Sequence, residues 1–262
     1  MQPRRVIAVG RDVVREMRAH NVTFMAGSIA HAAFLSLLPL LVLLLVIASA
    51  VGNDLLTERI VALSRTYLSP AGEGLVVDAL TTASERAGAS VIGVASLLWG
   101  MLRIFRGINT AFDELYDAGE EGVVGRVVDG LVVFVAIVLG TVGAGLAAAT
   151  LALGDHPVVQ ALNPLVLVVG LTVAFFPMYY VFPEADVTVG EALPGAVIAA
   201  VGWTAMEAVF GVYVDLADTV SIYGTMGAVI LLSIWLYGSA FVLLVGATTN
   251  VVLAGHHREA GA

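Results

Sequence analysis

Long apolar stretches separated by short polar links dominate the pattern of this chain. We predict that six of them cross a membrane as helices, because a helix of about 20 apolar residues spans a hydrocarbon layer of about 30 Å. The second stretch is shorter and runs into arginines whose long stems reach the interface. In chain order the predicted spans cover about 26–51, 90–102, 127–153, 159–182, 194–214 and 225–253.

The polar segments complete an all-α architecture, a polytopic membrane helical bundle. Residues 1–20 place valines and a methionine at helical spacing among five arginines, which predicts a cytoplasmic amphipathic helix lying on anionic headgroups. Residues 53–88 contain two apolar helical stripes, which predict short outer helices acting as a passive cap or as a lid. We therefore divide the chain into the amphipathic helix 1–20, a six-helix transmembrane domain 21–255 and a short cytoplasmic tail 256–262.

Composition supports a membrane protein. The chain is 59% hydrophobic and 13% charged, and a soluble domain of 262 residues cannot bury so much apolar surface. Cysteine is absent, which excludes disulfides, thiolate metal sites and cysteine nucleophiles. Lysine is absent too, so no phosphate-binding loop with its lysine is encoded. The N-terminus has no continuous apolar core of the kind that a signal peptide requires.

The distribution of arginines predicts the orientation. With six spans, the segments on the side of the termini hold nine arginines and the segments on the other side hold three. Basic residues accumulate on the cytoplasmic side of bacterial inner-membrane proteins. We therefore predict a multi-pass protein of the plasma (inner) membrane with both termini in the cytoplasm.

Several sequence motifs resemble those of the YihY/BrkB family of six-helix inner-membrane proteins, once labelled ribonuclease BN. The resemblance covers nearly the whole chain from Val22 to Val252. It is carried by small residues with Ser36 and Pro39 in the first span, by Leu193-Pro194-Gly195-Ala196, and by a closing third that holds Trp203, Glu207, Phe210, Tyr213, Tyr223-Gly224-Thr225-Met226-Gly227, Trp235-Leu236-Tyr237 and Gly246-Ala247. The resemblance implies an inner-membrane helical bundle.

Glu207 is the foremost candidate for a functional residue. About 13 residues separate it from Pro194, which places it about 20 Å into the fifth span at 1.5 Å per residue. An ionisable residue at that depth is costly and typical of functional sites. We expect hydroxyl partners at the following hairpin, namely Tyr213, Tyr223 and Thr225. The carboxyl either exchanges a proton during transport or acts as a neutral hydrogen-bonding clamp between helices.

Two further groups of polar residues are candidates. His31 and Ser36 lie in the first span, where His31 is interpreted as a packed, hydrogen-bonded residue because no second histidine follows at helical spacing. Arg103, Arg106 and Asp113 share one helical face, which we interpret either as a cytoplasmic vestibule or ion network or as ordinary surface charge. No cluster with metal-ligand spacing occurs, so we predict neither metal nor cofactor.

Two functions from different classes fit this pattern. The first is a transporter or flippase-like carrier of a lipid or small amphiphile, and the second is a non-transporting scaffold that maintains envelope integrity. Membrane lipids and an unidentified small molecule or lipid are the expected partners. A membrane-bound ribonuclease is disfavoured, because binding of nucleic acid depends on basic groups and the predicted inner links are acidic. We expect no enzyme activity and no nucleic-acid partner, and the oligomeric state stays open.

Overall fold

The structure is a computed structural model that describes residues 3–50, 106–116, 123–152, 157–183, 187–219 and 224–255. Throughout these ranges the regular secondary structure is helical, which confirms the predicted all-α class. We number the seven described helices in chain order: α1 Pro3–Ala19, α2 Val22–Ala50, α3 106–116, α4 Val123–Ala152, α5 Pro157–Val181, α6 Val189–Thr219 and α7 Gly224–Ala254.

Three described helices contain segments long and apolar enough to cross a membrane: Pro164–Val181 in α5, Val189–Gly211 in α6 and Val229–Ala254 in α7. Shorter apolar segments occupy Val22–Leu37 and Gly130–Gly143. Helices α2 and α4 to α7 cover the first and the third to sixth predicted spans. The second predicted span, the outer segment 53–88 and the tail 256–262 lie outside the described residues, so the count of six stays a prediction.

The amphipathic helix α1 joins α2 through a tight elbow. Asn21 adopts a left-handed conformation with φ of 50°, which asparagine tolerates better than most residues. Its carbonyl accepts hydrogen bonds from the backbone N–H groups of Phe24 and Met25 at 2.8 and 3.1 Å. These bonds start α2 immediately after α1 has ended, and Val22 is fully buried at the junction.

Helix α5 packs between α4 and α6. At the crossing with α4, a Cβ placed on Gly140 would approach the Cβ of Ala174 to 2.6 Å, so only glycine permits this separation. Gly140 therefore allows close packing of α4 against α5 at this position. On the other side of α5, Phe175 contacts Trp203 of α6 with ring centroids 5.4 Å apart.

Helix α6 begins with a capping box. The Thr188 backbone N–H donates to the Glu191 carboxylate at 2.8 Å, and the Thr188 hydroxyl donates to the same oxygen at 2.8 Å. The Thr188 carbonyl accepts from the N–H groups of Glu191 and Ala192. This arrangement satisfies donors that a helix start leaves open. The helix therefore begins at Val189, and Pro194 lies inside it rather than at its entry.

The chain divides into two compact units. One is formed by Met1–Ser28, Gly107–Thr219 and Gly238–Ala262, and the other by Ile29–Arg106 and Val220–Tyr237. Glu207 and Asn250 both lie in the first unit.

Candidate functional site

By helical spacing, Glu207 continues the line of α6 residues that is buried at the start of the helix. Four alanines of this face have no exposed surface, and the face continues through Trp203, one turn before Glu207. Residues three, four and seven apart share a helix face, so Glu207 extends the buried stripe. The stripe consists of Ala192, Ala196, Ala199, Ala200 and Trp203.

Neighbouring helices no longer bury this line of residues at Glu207. The side chain of Glu207 is exposed although its face is buried over the preceding turns. Its neighbour Met206 still contacts α7, because a Cβ on Gly238 would clash with the Met206 sulfur. An exposed carboxyl therefore lies within an apolar helix, one turn after Trp203, which still contacts a neighbouring helix.

The expected partners of Glu207 are only partly described. Tyr213 belongs to α6 and Thr225 to α7, but the described side chains do not include theirs, and Tyr223 lies outside the described residues. The predicted hydroxyl cluster around Glu207 therefore stays a prediction. Glu207 itself is present where the sequence places it, within the apolar segment Val189–Gly211.

The two candidates of the first span do not form a common site. The side chain of His31 is exposed, and the Ser36 hydroxyl donates to the Ala33 carbonyl of its own helix at 2.7 Å. Five residues separate them, which places them about 140° apart around a helix. Within the part of the chain that the structure describes, no three histidine or acidic side chains converge as a metal site would require.

The predicted vestibule is described in part. Arg103 lies outside the described residues, Arg106 is exposed at the start of α3, and Asp113 is half-buried. One carboxylate oxygen of Asp113 is enclosed by protein, as is the Oδ1 atom of Asn109 one turn earlier. The buried face of α3 therefore carries polar atoms, and the vestibule itself stays a prediction.

A buried polar clamp joins α6 to α7, and sequence reasoning missed it. The Asn250 side chain is 1% exposed. Its Oδ1 atom accepts a hydrogen bond from the Gly195 backbone N–H at 2.6 Å, and its Nδ2 donates to the Ala192 carbonyl at 3.1 Å. Pro194 lacks an N–H and disturbs the helix at this point, and a neighbouring helix can satisfy backbone groups that a proline frees. We refer to Asn250 with Ala192 and Gly195 as the asparagine clamp.

The helices approach very closely beside the asparagine clamp. A Cβ on Gly195 would lie 2.6 Å from the Gly246 carbonyl oxygen, and a Cβ on Gly246 would lie 2.5 Å from the Tyr179 hydroxyl. That hydroxyl donates to the Leu243 carbonyl at 2.7 Å, which ties α5 to α7. The two glycines are needed for this crossing because a side chain would push backbone against backbone.

Helix α3 closes the same end with aromatic rings. Phe112 is fully buried and contacts Tyr116, Tyr179 and Phe182 at centroid distances of 6.2, 5.7 and 5.8 Å. Burial raises the pKa of Tyr116 to about 12. We call Phe112, Tyr116, Tyr179 and Phe182, together with the asparagine clamp, the closed end.

Two signals in the sequence could have revealed the closed end. The polar run Thr248-Thr249-Asn250 interrupts an apolar helix, and a buried asparagine in such a helix needs a partner. The spacing of Thr188 and Glu191 matches a capping box. The partners of Asn250 lie 55 and 58 residues away, however, and no local pattern identifies them.

Comparison with known proteins places the chain among membrane proteins. A family model described as virulence factor BrkB matches residues 13–262. YfkH of Bacillus subtilis, described as ribonuclease-like, is 26% identical, and the match covers 95% of each chain. A UPF0761 membrane protein of Alkalilimnicola ehrlichii is 30% identical over 90% of this chain and 57% of its own length.

A further UPF0761 membrane protein, from Nitrosospira multiformis, is 27% identical over 90% of this chain and 58% of its own length. The chain therefore spans somewhat more than half of these two longer relatives and nearly all of the Bacillus protein. No solved structure matches the chain.

Proposed function

We propose a carrier function for this chain, which belongs to the virulence factor BrkB family and is an integral membrane protein. The proposed cargo is a lipid or a small amphiphile, and Glu207 is the residue that responds to it. In the proposed topology both termini lie in the cytoplasm, which puts the closed end on the cytoplasmic side of the inner membrane.

The accessibility of Glu207 is the single observation that carries this proposal. Ionising an acid at the centre of a membrane helix costs roughly 2.5–3.5 kcal/mol, and intramembrane acids accordingly face bundle interiors or water-filled cavities. Glu207 continues the line of α6 residues that is buried up to Ala200, and its own side chain is exposed. A recess that admits water or a polar headgroup explains both facts, whereas a carboxyl serving only as a clamp between helices would be enclosed.

The distribution of burial along α6 supports the same proposal. Among the described side chains of this helix, the buried ones all lie between Ala192 and Ala200, and none lies between 201 and 211. The helix is therefore sealed at the closed end and accessible further along. A carrier that alternates access needs one sealed and one accessible side at any moment.

A lipid-translocation assay tests the proposal. Purified chain is reconstituted in liposomes with fluorescent NBD-phosphatidylglycerol, and dithionite bleaches the label that reaches the outer leaflet, with and without an imposed pH gradient. We expect translocation above the protein-free rate, accelerated by the gradient. Glu207→Gln should fold normally and lose the acceleration, because it keeps the shape but removes the exchangeable proton. Glu207→Asp should retain part of it.

Glu114→Gln is the matched control, because Glu114 is an exposed acid on α3 outside the candidate spans. It should behave like the wild type. A wild-type rate equal to that of protein-free liposomes would refute the lipid carrier, and an unchanged gradient response in Glu207→Gln would refute the role of the carboxyl. Incubating the same preparation with precursor tRNA and Mg²⁺ tests the nuclease alternative, and we expect the RNA to stay intact.

A further inference from the structure

The charges of α1 are only partly neutralised within the protein. Arg15 pairs with Asp12 at 3.2 Å, and His20 lies 3.4 Å from the Glu16 carboxylate. Both acids of residues 1–20 are thus engaged. Arg11 and Arg18 are exposed and form no ion pair among the described residues. Residues 1–20 contain five arginines and two acids, a formal charge of +3 in a chain whose total is −9.

Apolar side chains border these arginines on the exposed face. Ile7 and Val14 are 64% and 47% exposed, while Val13 on the opposite side is buried. A helix with 3.6 residues per turn places Ile7, Arg11, Val14 and Arg18 within a sector of about 60°. Cations beside exposed apolar residues are the pattern of a helix that lies in the headgroup region.

A groove at the elbow between α1 and α2 combines these properties. It encloses about 280 Å³ and is lined by Val14, Met17, Arg18, Asn21 and Thr23. Val14 and Met17 form an apolar wall, Arg18 supplies a cation, and Asn21 and Thr23 supply polar groups. The exposed ring of Phe24 follows immediately at the start of α2.

We propose that this groove binds one anionic phospholipid, with the phosphodiester at Arg18 and the upper acyl chain along Val14 and Met17. Arginine suits a phosphodiester because its planar guanidinium donates two parallel hydrogen bonds. The remainder of the chain carries a net negative charge, so residues 1–20 are the part of the chain whose net charge attracts an anion. The lipid fixes α1 on the membrane surface, and this role is independent of Glu207.

A fluorescence titration tests the proposal on the full chain. The chain has no cysteine, and a Cβ at Gly10 meets no atom within 4 Å, so Gly10→Cys carries an environment-sensitive label beside the groove without disturbing it. Detergent-solubilised protein is titrated with dioctanoyl-phosphatidylglycerol, dioctanoyl-phosphatidylcholine and free glycerol phosphate. We expect a saturable response to phosphatidylglycerol, a weaker one to phosphatidylcholine and none to glycerol phosphate.

The matched pair Arg18→Gln and Arg15→Gln separates the groove from general charge. Both remove one arginine from the same helix, but only Arg18 lines the groove, and Arg15 is already paired with Asp12. Arg18→Gln should weaken phosphatidylglycerol binding about five-fold, the factor that corresponds to about 1 kcal/mol per basic residue at an anionic surface. Arg15→Gln should leave it nearly unchanged.

Three results would overturn the proposal. Equal affinity for the two lipids would show that the headgroup charge does not contribute to binding. Equal loss of phosphatidylglycerol affinity in Arg18→Gln and Arg15→Gln would show that the groove does not form the binding site. An equal response to glycerol phosphate would identify a free phosphate ligand instead of a lipid. None of these results depends on translocation, so they are distinguishable from a failure of the carrier assay.

Discussion

Replacing Asn250 by leucine should loosen the closed end more than any neighbouring polar substitution. The change keeps a side chain of similar volume but removes the hydrogen bonds to the Gly195 N–H and the Ala192 carbonyl. Because Asn250 is 1% exposed, water does not replace these bonds. The Gly195 N–H would lose its interhelical acceptor next to a proline that already interrupts the helix.

The magnitude follows from what is lost. An interhelical hydrogen bond in a membrane protein contributes roughly 0.6 kcal/mol on average and up to about 1.7. A buried donor left without a partner costs a further 1–3 kcal/mol or so. The sum is about 2–4 kcal/mol. At about 2–4 °C per kcal/mol for a chain of this size, Asn250→Leu should lower Tm by about 4–16 °C.

Thermal unfolding of purified protein, followed by tryptophan fluorescence, measures this effect directly. Thr249→Val is the matched control, because the Thr249 hydroxyl bonds only the Val245 carbonyl of its own helix at 2.8 Å. It should lower Tm by no more than about 2 °C, the equivalent of one hydrogen bond of modest net strength. Asn250→Leu with a Tm equal to that of Thr249→Val would refute the clamp as a stabilising element.

Three further predictions concern the crossing, the tyrosines and the topology. Gly246→Ala should destabilise the chain by about 1–3 kcal/mol, because its methyl group meets the Tyr179 hydroxyl and the Gly195 carbonyl, whereas Gly211→Ala, which meets nothing within 4 Å, should leave Tm unchanged or raise it. The raised pKa of Tyr116, about 12, means that its contribution to stability is complete below pH 10 and falls by up to roughly 2–3 kcal/mol as the pH rises toward 12, and Tyr116→Phe should make the fall shallower in a series of Tm against pH. Cysteines introduced singly at Thr81 and Ala118 should react with an impermeant thiol reagent from opposite sides of the membrane, and labelling from one side would contradict the six-span topology.

Much of the fold was predictable from hydropathy because each helix is a continuous apolar stretch. Five described helices coincide with predicted spans, and α1 matches the predicted amphipathic segment. The start of α6 was less predictable. The position of Pro194 predicts the entry to the fifth span, but the capping box of Thr188 and Glu191 starts the helix five residues earlier. Local hydrogen bonding determined this boundary, and a hydropathy average does not register it.

The functional residues were predictable to a smaller extent. An acidic residue in an apolar stretch is conspicuous because an ionised group inside a membrane costs free energy, and this makes Glu207 a candidate. Asn250 carries no charge, so it is less conspicuous than an acid in an apolar helix. Its importance comes from partners more than 50 residues away in sequence. Gly195 and Gly246 belonged to two stretches that carried the family resemblance, but only the structure shows that they meet. A single sequence does not reveal which residues of distant helices contact each other.

Helix α6 joins the closed end to the accessible carboxyl, and this connection constrains any carrier mechanism. Glu207 follows Gly195 by 12 residues, about 18 Å along a helix. Opening the closed end requires the helices to separate at the asparagine clamp, which hydrogen bonds rather than an ion pair hold together. Breaking them costs a few kcal/mol at most, which is within the range that binding of a cargo or a proton supplies. Asn250→Leu should therefore raise the labelling of a cysteine at Ala196 by an impermeant thiol reagent applied from the cytoplasmic side, whereas unchanged labelling would mean that α6 does not move at this end.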